Sequence, residues 1–111
     1  MKFQLAGLIF AVALSPVAAQ KYEGCFGTPG SLESQGVYPY QSPGYCEKEC
    51  TNQGSSVMGL TGGDACYCGN ELPPKASAKP DSKCNVMCAG WPVDNCGGNG
   101  AWSVYSIGSQ S

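Results

Sequence analysis

The sequence has no histidine and no arginine, and charge of any kind is scarce, with six lysines against eight acids. Histidine is the side chain that most often moves protons near neutrality and, with cysteine, the usual ligand of zinc, so its absence leaves enzymatic chemistry with little to work with. No C-x-x-C pair is present, which removes the spacing of thioredoxin-like redox sites. Also missing are an internal repeat, an N-x-S/T acceptor for N-glycosylation and, after the first residues, any apolar run approaching the length of a bilayer span.

The first residues form an address. Met1-Lys2 is a short basic start, Leu5 to Leu14 is an almost unbroken apolar run too short to cross a membrane, and Val17-Ala18-Ala19 offers small residues to a signal peptidase. A signal peptide over residues 1–19 is therefore expected, leaving a single mature domain over residues 20–111 with its folded core at 22–107. The C-terminus carries no hydrophobic tail of the lipid-anchor kind, so the product is expected to be monomeric and secreted, extracellular or wall-associated, without a membrane anchor. Loss of Lys2 leaves five lysines against eight acids, a net charge of −3. Nucleic acid and anionic membranes are disfavoured partners for such a surface. Glycine, serine, asparagine and tyrosine are common, which suits an uncharged polar ligand.

What the chain has in quantity is cysteine. Cys25, Cys46, Cys50, Cys66, Cys68, Cys84, Cys88 and Cys96 all fall in the mature part. An even count this dense in a short secreted chain reads as four disulfides, each worth roughly 2–4 kcal/mol in a domain whose own core is marginal. Zinc ligation would require thiolates and a reducing compartment, so structural bridging takes precedence and no metal or cofactor is implied.

Tyr22 to Phe26 reads as an opening strand, followed by a Gly/Pro/Ser-rich loop through Gln41. Ser42-Pro43 is a helix start, with a capping hydroxyl and proline at the first helical position, and Gly54 is the stop. Cys46 and Cys50, four apart, share one face of that helix. Val57 to Thr61 and Ala65 to Gly69 read as the two strands of a hairpin around Gly62-Gly63-Asp64. Strand alternation sends Cys66 and Cys68 to one face and Tyr67 to the other. An i,i+4 pair spans about 6 Å of helix and an i,i+2 pair about 6.5–7 Å of strand, so two bridges fit side by side, in parallel or crossed pairing. Leu72 to Ser82, with three prolines, reads as an extended connector. A second short helical turn, capped by Asp81 or Ser82 and ended by Gly90, is expected to carry Cys84 and Cys88. A loop from Trp91 to Asn95, a turn at Cys96-Gly97-Gly98 and a last strand from Trp102 to Ile107 complete the chain, with Trp102 and Val104 on one face and Tyr105 and Ile107 on the other.

The ordered set Tyr22-x-Gly24-Cys25-Phe26, Cys46-x3-Cys50, Gly59-Leu60-x2-Gly63-x2-Cys66-Tyr67-Cys68-Gly69, Cys84-x3-Cys88-x-Gly90 and Cys96-Gly97-Gly98, closed by Val104-Tyr105, resembles the WSC domain. That resemblance implies an α+β, disulfide-rich fold of PAN/apple type, a curved antiparallel sheet packed on one main helix, and a carbohydrate-binding role without catalysis. It completes the pairing: Cys46–Cys66 and Cys50–Cys68 as the staple, with Cys25–Cys84 and Cys88–Cys96 taken from the family pattern. The Ser42-Pro43-Gly44 opening departs from the Met-Thr start more usual in the family. The Ser/Thr-rich stalk and membrane span of fungal wall sensors are not seen, so a module working alone in solution is expected.

The ligand implied is a polysaccharide of a fungal or plant cell wall, such as a β-glucan. Sugars stack their C–H faces on aromatic rings while their hydroxyls bond nearby amides and carboxylates. Trp91, Tyr38, Tyr40 and Tyr45, in loops or at the helix start, are the candidate rings, and Asp94 and Asn95 the candidate polar partners. Trp91 leads because a Cys88–Cys96 bridge would pin its loop, and because WSC domains more often have a small polar residue there. The competing reading folds Trp91 back over the sheet near Tyr105. An interaction module or effector with a protein partner, and a structural wall component, are the other functions the chain allows. A glycosidase would need two convergent carboxylates, and the closest pair, Glu47 and Glu49, diverge at i,i+2 on a helix.

Overall fold

The computed structural model describes residues 19–108. The expected signal segment lies outside the described residues except for Ala19, which begins the first strand. Six strands form one antiparallel sheet: β1 (Ala19–Phe26), β2 (Glu33–Val37), β3 (Val57–Thr61), β4 (Ala65–Gly69), β5 (Ala78–Lys79) and β6 (Trp102–Gly108), in the order β2-β4-β3-β6-β1-β5. Among the described residues there is one α-helix, α1 (Pro43–Asn52), which packs on β3 and on β4, the strand that carries both Cys66 and Cys68. The α+β, disulfide-rich architecture expected from the sequence is the one observed.

Local chemistry sets the helix limits. The Ser42 hydroxyl accepts the Tyr45 N–H at 3.0 Å, and Pro43 occupies the first turn, where its missing N–H costs nothing. At the other end Gly54, at φ 77°, takes the left-handed conformation, while its N–H and that of Ser55 bond the carbonyls of Thr51 and Cys50.

Four disulfides join Cys25 to Cys84, Cys46 to Cys66, Cys50 to Cys68 and Cys88 to Cys96. The helix–strand pair adopts the parallel pairing, with Cα separations of 5.6 and 5.2 Å. The two bridges touch, Sγ of Cys50 lying 3.9 Å from Sγ of Cys66. Around them Met58, Leu60 and Ile107 complete the core on the helix side of the sheet. The opposite face buries Phe26, Leu32, Val57 and Val104 against the rings of Tyr67 and Trp102. Leu32 reaches that face because β4 presents Gly69 there, where a Cβ would stand 2.7 Å from the leucine side chain.

Three expectations are corrected. The segment before Gln41 is not all loop, because Glu33–Val37 forms the edge strand β2. Its residues are mostly exposed on both faces, so it carries no apolar alternation, and only its backbone pairing with β4 makes it a strand. The proline-rich connector contains a 3-10 turn (Lys75–Ser77) and the short β5 paired to β1. The second helical turn (Asp81–Lys83) stops before Cys84, without a side-chain cap. From there to Cys88 the chain is extended, because the Val86 N–H bonds Gly97, the Cys96 N–H bonds Val86 and the Cys88 N–H bonds Asp94. That ladder satisfies more backbone groups than one isolated helical turn would.

The clamp dominates the stability of this small core. Replacing both Cys50 and Cys68 by alanine opens a bridge of sequence separation 18, a loss of about 3 kcal/mol on the loop-closure model. The thermal midpoint is then expected to fall by roughly 10–20 °C. A drop of only a degree or two in a circular-dichroism melt would show that the neighbouring Cys46–Cys66 bridge suffices.

Candidate functional site

The turn between β3 and β4 is the dock on which two surface loops meet. Tyr38 N–H bonds the Asp64 carbonyl at 2.9 Å, Ala89 N–H bonds Gly63 at 2.9 Å, and Gly90 N–H bonds Gln41 at 2.8 Å. Gln41 is wholly buried between them, its amide donating to the Asp64 carbonyl while its oxygen accepts the Ser42 N–H. The contact at Gly90 is tight: a Cβ there would lie 2.0 Å from the Tyr40 carbonyl oxygen, so only glycine fits.

The seam brings all the candidate aromatics to one end of the sheet. Tyr38 stacks on Tyr45 with centroids 4.0 Å apart and planes within 14°, and meets Tyr40 edge-on at 5.8 Å. Tyr40 is 71% exposed and Trp91 is 53% exposed. The indole therefore stands in solvent rather than lying over Tyr105 as a lid. Its loop is closed by the Cys88–Cys96 bridge and by turn bonds from Trp91 N–H to Cys88 and Asp94 N–H to Trp91.

Trp91 and Asp94 face Gln20, Ser42 and Pro43 across a cleft of about 320 Å³. The three candidate tyrosines are not among the residues lining it. Asn95 is not there either; it lines a separate cleft of about 250 Å³ with Tyr22, Asp81, Ser103 and Tyr105. The candidate set thus divides into a tyrosine cluster, a tryptophan cleft and the cleft holding Asn95. Gln41, Tyr22 and Tyr105 escaped the sequence reading. A lone glutamine before a helix cap carries no signal of burial, and the two tyrosines read as ordinary strand residues. Strand alternation did put Tyr105 on the face of Ile107, the one clue available.

The second cleft perturbs its phenols. Tyr22 is pushed well above the usual tyrosine range by burial, and further by the hydrogen bond it donates to Asp81 at 2.9 Å and by that carboxylate's charge. Tyr105 is raised by burial and then by the charge of Asp94. The sulfurs of Cys46, Cys50 and Cys66 lie within 4.8 Å of one another, yet each is consumed in a disulfide and offers no thiolate to a metal.

The family model described as the WSC domain matches residues 22–98. Among curated proteins the chain is 42% identical over 90 residues to cell wall integrity and stress response component 2 of Saccharomyces cerevisiae, covering 76% of this chain and 18% of that protein. It is 31% identical over 103 residues to component 1 of Schizosaccharomyces pombe, covering 92% of this chain and 27% of the relative. A stretch of 67 residues is 42% identical to xylosyltransferase oxt of Drosophila melanogaster, 60% of this chain and 8% of that enzyme. The chain spans about a quarter or less of the length of these relatives.

The raised phenols set an alkaline limit. The folded state holds the Tyr22 and Tyr105 protons after an unfolded chain would release them near pH ~10. Their contribution to stability is complete below that pH and declines as pH rises above it. In an ultraviolet titration Tyr22 and Tyr105 are expected to ionise late, and the Tyr22→Phe variant should lose stability less steeply above pH ~10. Ionisation of Tyr22 and Tyr105 near pH ~10 in the folded protein would contradict the assignment.

Proposed function

The chain belongs to the WSC domain family, and on that premise we propose that it is a secreted, non-catalytic module that binds a cell-wall polysaccharide such as a β-glucan. The observation that carries this reading is Trp91. A tryptophan more than half exposed, on a loop closed by a disulfide, beside a carboxylate and a cleft open to solvent, is an arrangement that favours a stacking platform. A pinned loop also loses little conformational freedom on binding. The names of the fungal relatives, cell wall integrity and stress response components, support the same direction.

Two features support the absence of catalysis. The chain has no histidine, and Asp81, the acid in the second cleft, is engaged by the Tyr22 hydroxyl rather than set opposite another acid. The transferase name belongs to a protein of which this chain matches 8%.

One observation favours a protein partner instead. Met87, at an isolated bridge to Asn95, and Val93, in the loop of Trp91, are 61% and 76% exposed, and aliphatic side chains contribute little to holding a sugar. The two readings separate in a single retention assay on insoluble β-glucan, chitin, xylan and cellulose. The polysaccharide reading expects saturable retention on at least one polymer. Trp91→Ala should weaken that retention by roughly 1–3 kcal/mol while leaving the thermal midpoint unchanged and releasing no reducing ends. Loss of several degrees of stability with retention intact would instead make Trp91 a packing residue.

A further inference from the structure

The helix covers only part of its face of the sheet. It is bonded to β4, and the same face continues past it across β6 and β1, where Tyr105 and Tyr22 stand at paired positions. Their rings meet edge-on at 5.3 Å and 61°, and Tyr22 remains 44% exposed. The Tyr22 hydroxyl spends its one hydrogen on Asp81, which leaves the phenolic oxygen and the second carboxylate oxygen as acceptors for a ligand. Asn95 lines the same cleft and adds an amide that can both donate and accept.

This cleft adjoins that of Trp91. Gln20 lines one and Tyr22 the other, two residues apart on the same face of β1, a step of about 6.5–7 Å. On the facing loop Asp94 lines one and Asn95 the other. The influence of the Asp94 charge on Tyr105 crosses the same boundary. Both clefts are open to solvent, and an open cleft lets a sugar chain continue on either side where an enclosed pocket would take a chain end. Their linings present the carboxylates of Asp81 and Asp94 and no lysine. A polymer of uronic acids would be repelled there, whereas neutral sugar hydroxyls would find acceptors.

We propose that the two clefts form one groove that binds an internal stretch of a neutral polysaccharide, with Trp91 at one sugar subsite and the Tyr22–Asp81 pair at a further one. This rests on the carbohydrate reading above and adds to it a second subsite, a chain-interior mode of binding and the exclusion of anionic polymers.

Calorimetric titration of the full chain with oligomers of two to six sugars tests it, using β-1,3-linked glucose, β-1,4-linked N-acetylglucosamine and, as the anionic probe, galacturonic acid. One neutral series is expected to bind with affinity that climbs from the dimer to about the tetramer and then levels. Tyr22→Ala and, separately, Asp81→Ala should lower tetramer affinity roughly tenfold and leave the dimer unchanged. Trp91→Ala should weaken every length. Asp81 lies on an exposed turn, so an unchanged thermal midpoint for that variant will show that any loss is one of binding. A climb that survives in both Tyr22→Ala and Asp81→Ala overturns the second subsite while leaving the carbohydrate reading intact. Tight binding of the galacturonic series overturns the neutral specificity. A wild-type chain that binds no oligomer and no insoluble polymer overturns both readings together.

Discussion

Two disulfides in contact, fastening one turn of a helix to one strand, are the constraint on which the rest of this domain depends. Apart from Met58, Leu60 and Ile107, the helix-side core is built from cysteine, and a chain this short buries too little hydrocarbon to hold a helix on a sheet by the hydrophobic effect alone. Fixing Cys46 and Cys50 against Cys66 and Cys68 fixes the helix start. Ser42 and Pro43 then become a wall of the tryptophan cleft. The same bonds hold the β3–β4 hairpin, whose turn supplies the carbonyls of Gly63 and Asp64 on which both loops dock.

That docking is made by the backbone, and the buried Gln41 side chain adds to it. The outward residues Tyr40, Trp91 and Val93 take no part in the hydrogen bonds of the seam. The scaffold can therefore present different side chains at these tips without being redesigned, provided Gly90 keeps its approach to Tyr40. Rigidity and recognition are held by different atoms of the same loops.

Features that depend on nearby residues were legible in the sequence. The Ser42 cap, the Gly54 stop, the hairpin and the turn of Tyr67 to the face opposite the cysteines each follow from a few residues in a row, and cysteine spacing alone brought helix and hairpin together. Choosing among the possible pairings needed the family pattern. The strand β2 was illegible because Glu-Ser-Gln-Gly-Val buries neither face, and the extended path after Cys84 because its partners, Asp94 and Gly97, lie beyond a loop. For the site, local sequence singled out Trp91 as a loop residue. It could not show that Asn95 faces away from that cleft into another, since this depends on how the Met87–Asn95 bridge turns the loop.

The cross-links also decide how the fold bears load. Gln20 and Ile107 pair near one end of β1 and β6, so tension between them would peel these strands apart one hydrogen bond at a time. Once peeled, the stretched path would leave the backbone at Cys25, cross to Cys84, run to Cys88 and cross again to Cys96. Everything between Cys25 and Cys84, including the helix, the hairpin and their shared bridges, hangs off that path as a closed loop, as does the segment bearing Trp91. Force reaches β6 and, through its pairing, β3, while the bridges between helix and hairpin lie outside the loaded covalent path.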